Sequence, residues 1–127
     1  MITASELNPH SYPTNPNIDK NIAILLVRMN EVRAAYGKPM IVTSGLRSET
    51  QQLELVQQGK SNSIHSKHEA GAACDIYDPD GELKKWVLDN VKILEVSGLW
   101  CEDFTSTPNW VHFQCLAPAS GNRFFKP

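Results

Sequence analysis

Ser66-Lys67-His68-Glu69-Ala70-Gly71-Ala72-Ala73-Cys74-Asp75 is the densest run of potential ligands in the chain, and its character changes midway. The polar stretch from Lys60 to Lys67 belongs to a loop, whereas Ala72 to Tyr77 reads as a buried strand. His68 therefore leaves a loop and enters a strand, with Gly71 allowing close approach of the backbone. Asp75 lies further along that strand. Its neighbour Cys74 points to the opposite face, because side chains alternate along a strand. A second histidine comes much later, in Trp110-Val111-His112-Phe113-Gln114. Two imidazoles and one carboxylate suit zinc, which in catalytic sites keeps three protein ligands and reserves its fourth position for a water that it acidifies. Taken singly, His68, His112 and Asp75 read more simply as partly buried histidines and a strand-end acid.

Outward from this run, Ile18 to Tyr36 repeats apolar residues at helical spacing, with Asn17 as a candidate cap and Gly37 as the stop. Met40 to Thr43 is a short β-rich run that ends in a turn at Ser44-Gly45. Ser48 followed by Gln51 fits a capping box for a second helix, running to about Gln58. Asp78-Pro79-Asp80-Gly81 is a turn, and its spacing fails as a calcium loop because Gly81 arrives too early and no glutamate closes the loop. A third helix starts near Gly81 and ends before Gly98. Leu99 to Glu102 and Trp110 to Cys115 form a candidate antiparallel pair. The opening stretch, residues 1–16, holds Pro9, Pro13 and Pro16 and reads as an irregular arm. The order of elements predicts an α+β fold with a small antiparallel sheet packed against helices.

With 127 residues, the chain is expected to form one domain, residues 1–127, large enough to enclose a core. A net charge of -2 offers no basic footprint for nucleic acid or anionic lipid, and no apolar run is long enough to span a bilayer. Cys74, Cys101 and Cys115 are an odd number without paired spacing, which favours free buried thiols and synthesis in a reducing compartment. The first residues lack the basic start and apolar core of a secretory signal.

The pattern S-x-H-x-x-G-x-A-x-D at positions 66 to 75, followed by W-x-H near the C-terminus, resembles the M15 family of zinc peptidases, the D-Ala-D-Ala carboxypeptidase and peptidoglycan endopeptidase group. Ile41-Val42-Thr43-Ser44-Gly45-Leu46-Arg47-Ser48 resembles the family's strand and S-G-x-R turn, so the likeness covers nearly the whole chain. It implies a Hedgehog/D-Ala-D-Ala peptidase-like fold, Zn2+ on His68, Asp75 and His112, and a basic residue near the substrate at Arg47. A guanidinium there can grip a peptide carboxylate or stabilise an oxyanion. Ser66, in the same motif, can bind substrate or shape its loop. His65 lies three residues before His68, but only His68 keeps the motif spacing, so His65 reads as a solvated loop residue. The ending Ser120-Gly121-Asn122-Arg123-Phe124-Phe125 is similar to compact phage or prophage members.

Hydrolysis needs a carboxylate to carry a proton from water to the leaving amine. Many members of the family place one three residues before the second histidine, where this chain has Asn109. Glu102 and Asp103 are the remaining candidates, and parity separates them. Val111, Phe113 and Cys115 form the apolar set of the last strand, as Leu99 and Cys101 do of the strand before it. Glu102 then shares the other face with His112, and is favoured over Asp103. Glu69, between the ligands, is expected to be exposed.

The expectation is a monomeric zinc peptidase acting on peptidoglycan stem peptides, at D-Ala-D-Ala or between L-Ala and D-Glu, with no nucleic-acid partner and no membrane insertion. Such an enzyme, made in the cytoplasm without a signal peptide, would act at the wall after release by other phage proteins, or be carried in a virion. The alternatives are a non-catalytic zinc or peptide-binding domain and a virion structural protein with a relict site.

Overall fold

The computed structural model describes residues 1–59 and 66–127, so His65 and most of the loop before His68 lie outside the described residues. Asn15 opens the longest helix, α2 (Pro16–Tyr36), by accepting the Ile18 N–H on its side chain; Gly37 closes it in the left-handed region. The start lies two residues earlier than Ile18. Pro16 occupies the first turn, where a missing N–H costs nothing, so proline extends the helix instead of blocking it.

Five strands follow: β1 (Val42–Ser44), β2 (Ala73–Tyr77), β3 (Trp100–Glu102), β4 (Trp110–Gln114) and β5 (Phe124–Phe125), arranged in the order β1-β2-β4-β3-β5. All neighbours are antiparallel except β3 and β5, so the sheet is mixed at one edge. One face carries Cys74 and Ile76 of β2, Val111 and Phe113 of β4, and Cys101 of β3. Against it pack Leu25, Met29 and Val32 of α2 with Leu83, Val87 and Leu94 from the later helices. The opposite face carries Asp75, His112 and Gln114, which are buried despite their polarity.

Two expectations change. Residues 1–16 are not an irregular arm throughout: α1 (Ala4–Leu7) is held by a capping box between Thr3 and Glu6. Ile2 and Leu7 are fully buried, each burial contributing about 1.5–3 kcal/mol. Asn30 of α2 clasps both the N–H and the carbonyl of Ile2, at 2.8 and 3.0 Å. The arm also meets Gly45, where an added Cβ would lie 2.3 Å from the Leu7 carbonyl oxygen. The predicted third helix is two, α4 (Glu82–Asp89) and α5 (Val91–Ser97), because Asn90 turns its side-chain amide onto the Trp86 carbonyl and ends the first. Asp78 accepts the N–H groups of Leu83 and Lys84, so this turn acid serves as an anchor for α4. The helix after Ser48 is α3 (Glu49–Gln57), with the Ser48 hydroxyl accepting the Gln51 N–H.

Candidate metal centre

Asp75 and His112 are register partners on β2 and β4, so their side chains rise together from the polar face. His68 reaches the same point from a turn that Gly71 holds at φ +71°, where a Cβ would come within 2.8 Å of Ile22 on α2. Asp75 Oδ1 lies 3.2 Å from His68 Nε2 and 3.1 Å from His112 Nδ1. Among the described residues, these three side chains form a group able to hold a metal ion, with ligand atoms all within 4.8 Å of one another.

The remaining ring nitrogens decide which lone pairs face inward. His68 Nδ1 lies 2.8 Å from the Gly45 carbonyl, which only accepts, so Nδ1 carries the hydrogen and Nε2 is left as the donor to a metal. The Gln114 amide nitrogen donates to the Leu116 carbonyl at 2.7 Å, which turns its oxygen toward His112 Nε2 at 2.9 Å. His112 Nε2 therefore donates, and Nδ1 faces Asp75. Imidazoles oriented by such outer hydrogen bonds are the usual supports of a metal site. Two lone pairs and a carboxylate oxygen converging in a buried space need a cation between them, and this donor set fits zinc.

Electrostatics agree with that need. Burial works against ionised Asp75, yet in the metal-free protein the charge and the extra N–H of His68 and His112, when protonated, hold its carboxyl well below the usual range. His68 is pushed down by burial, which favours the neutral imidazole a metal requires. Burial also pushes His112 down, but Asp75 and Gln114 outweigh it and raise the net value. In the metal-free protein Asp75 thus favours the protonated form of His112.

Arg47 stands on the other side of Asp75, its Nη2 donating to Oδ2 at 3.2 Å. Its Nε donates to Ser44 Oγ and its Nη1 to Gln52 Oε1, both at 3.0 Å, so the guanidinium plane is fixed from three directions. Gln52, fully buried on α3, was not legible as a site residue, because nothing in the helical pattern distinguishes it from Gln51. Gln114 did leave a signal: it lies two residues past His112 on the same strand face. Burial pushes the Arg47 guanidinium down, with Asp75 and Glu102 opposing.

Cys101 pairs with Phe113 on the core face, and Trp100 pairs with Gln114 on the polar one, which puts Glu102 on the side of His112. Burial raises the Glu102 carboxyl above its ordinary value; the charge on His112 opposes this and Asp75 adds to it. Asp103 is engaged elsewhere, its carboxylate accepting the Thr105 hydroxyl at 2.8 Å and the Thr105 N–H at 3.4 Å at the start of a 3-10 turn. Asn109 has an exposed side chain and uses its carbonyl to accept the Asp78 N–H. Ser66 Oγ accepts the His68 N–H at 3.1 Å, and so shapes the turn that delivers His68. Glu69 is half-buried in that turn, not exposed as expected, because its N–H bonds back to Ser66 and folds the segment inward.

A mixed sheet whose polar face carries a histidine, aspartate, histidine group beside a fixed arginine defines an α+β protein with a candidate metal centre. A model of the family described as Peptidase M15 matches residues 2–114. The chain belongs to that peptidase family. A solved structure of the Serratia marcescens L-Ala D-Glu endopeptidase ChiX shares the fold with a TM-score of 0.59 and 20% sequence identity, covering 91% of this chain and 99% of that one. Among curated proteins none matches.

Proposed function

We propose that this peptidase is zinc-dependent and cleaves peptidoglycan stem peptides, at D-Ala-D-Ala or between L-Ala and D-Glu. The observation that carries the reading is the inward aim of His68 Nε2, Asp75 Oδ1 and His112 Nδ1, each ring locked by a hydrogen bond on its far nitrogen. Zinc held by these three would supply a Lewis acid for the scissile carbonyl and lower the pKa of water. Glu102, raised by burial and on the same face as His112, takes a proton from the attacking water and passes it to the leaving amine. Arg47, its plane fixed by Ser44, Gln52 and Asp75, turns its remaining N–H groups to the substrate carboxylate or the developing oxyanion. Ser66 adds a hydroxyl beside His68 that can donate to the peptide. The likeness to an L-Ala D-Glu endopeptidase supports the second of the two bonds.

The likeness of Ser120-Gly121-Asn122-Arg123-Phe124-Phe125 to phage or prophage members supports a wall-degrading enzyme of that kind, which we propose works as a monomer and reaches the wall after release or within a virion. Zinc analysis of the purified protein, with mass spectrometry of a defined muropeptide before and after treatment, tests the reading. One zinc per chain and a freed stem peptide, or a lost terminal alanine, are expected, with hydrolysis strongly slowed in Glu102→Gln. A second reading, a zinc-bearing peptide-binding domain without catalysis, draws on the exposed Asn109 at the position where many relatives carry an acid. Zinc uptake and peptide binding with no product after prolonged incubation would establish that reading instead.

A further inference from the structure

The family match ends at Gln114, but the chain continues into β5, and β5 returns to the site. Its backbone is zipped to β3, with Cys101 N–H donating to Arg123 O at 2.9 Å and Asp103 N–H donating to Phe125 O at 2.7 Å. Arg123 pins the strand further: Nη1 donates to the Leu99 carbonyl at 2.7 Å, and the guanidinium lies 4.6 Å from the Trp100 ring centre. Side chains alternate along this short strand. Phe124 packs edge-on against Phe104 on the core side, with ring centres 5.4 Å apart. Phe125 faces the other way. Its ring stands edge-on to the His112 imidazole at 5.9 Å, and its register partner is Glu102. Phe125 thus borders both a candidate metal ligand and the candidate proton carrier, and it is only half-buried.

We propose that β5 forms the leaving-group wall of the substrate cleft, with Phe125 limiting the size of the residue that follows the scissile bond. This rests on the function proposed above, in which Glu102 protonates the leaving amine. The residue bearing that amine must then lie within reach of Glu102, whose register partner on β5 is Phe125. A ring in that place admits a slim substituent such as that of alanine or glutamate and collides with an aromatic one. Phe125 is a specificity-determining residue, supplied by a segment outside the family-matched span.

The test uses two peptides that differ only in the residue after the scissile bond, alanine-sized in one and phenylalanine-sized in the other. Their affinities for the zinc-loaded full chain are measured calorimetrically in a Glu102→Gln background, combined with Phe125→Ala or Phe125→Trp. Phe125→Ala is expected to shift preference toward the bulky peptide by roughly tenfold or more, and Phe125→Trp to shift it the other way, as pocket contacts of this size allow. Zinc affinity, read by competition with a chromophoric chelator, stays within a few-fold. An unchanged preference in both variants overturns the proposal. So does a loss of zinc affinity with preference intact, which would make Phe125 a support for His112 alone. Absence of hydrolysis by the wild-type chain would remove the functional reading, whereas the binding preference is read independently of turnover.

Discussion

The two sides of the site are held in different ways. On the β2 side, Asp75 touches His68, His112 and Arg47, and each of those partners is fixed again by Gly45, Gln114, Ser44 or Gln52. On the β3 side, Glu102 is placed by strand register and by the burial and charges around it. A metal ligand set must be rigid to hold its geometry, and cross-linked hydrogen bonds provide that. A proton carrier needs a tuned affinity for protons, and partial desolvation provides that. The contrast predicts that damage on the β2 side costs metal and damage on the β3 side costs turnover.

The largest expected effect is His68→Ala, which removes one of the three proposed ligands and leaves the Gly45 carbonyl facing a cavity. Stoichiometric zinc retention after dialysis should be lost, as read by elemental analysis; full retention would break the comparison at its root. Next is Glu102→Gln, which should lower kcat by ~10²–10⁴ while zinc content stays at the wild-type level. Gln114→Leu comes third. It keeps all three ligands but frees the His112 ring, and zinc affinity should fall by about 10–100-fold. The smallest effect belongs to Asp103→Ala, which loses the cap of the 3-10 turn, about 1 kcal/mol in a denaturant melt, with kcat unchanged.

Acidity sharpens the same contrast. Glu102 works as a base only when ionised, so activity should fall as decreasing pH protonates it; in the metal-free protein burial holds its pKa above the ordinary value. Stability runs in the opposite sense. Between the unfolded and folded pKa values the native state holds more protons, so stability decreases as pH rises through that window. In the metal-free protein, Glu102→Gln should remove this decrease, giving a variant more stable than wild type at neutral pH and indistinguishable from it below the unfolded pKa. A thermal melt at two pH values reads the difference.

Much of this arrangement was legible in the chain. His68 and Asp75 share one motif, and alternation on β3 and β4 separates Glu102, on the polar side, from Cys101 and Phe113 in the core. Such inferences work because the period of a strand is fixed by backbone geometry. Asn90 was missed as a helix break because its side-chain bond to Trp86 competes with a periodic pattern that continues past it. The arm was misread because prolines and polar residues outnumber Ile2 and Leu7, and only the Asn30 clasp on Ile2 and the Leu46 N–H bond to the Leu7 carbonyl show where those two go.

By itself, then, the sequence determined the α+β class, the family likeness, the metal-ligand candidates and the face on which Glu102 stands, all matters of local spacing. Tertiary structure alone decided which ring nitrogens face the metal position, that Gln52 fixes Arg47, and that Phe125 comes back to His112. Those contacts join residues distant in the chain, and distance along the chain carries no information about proximity until the core has closed.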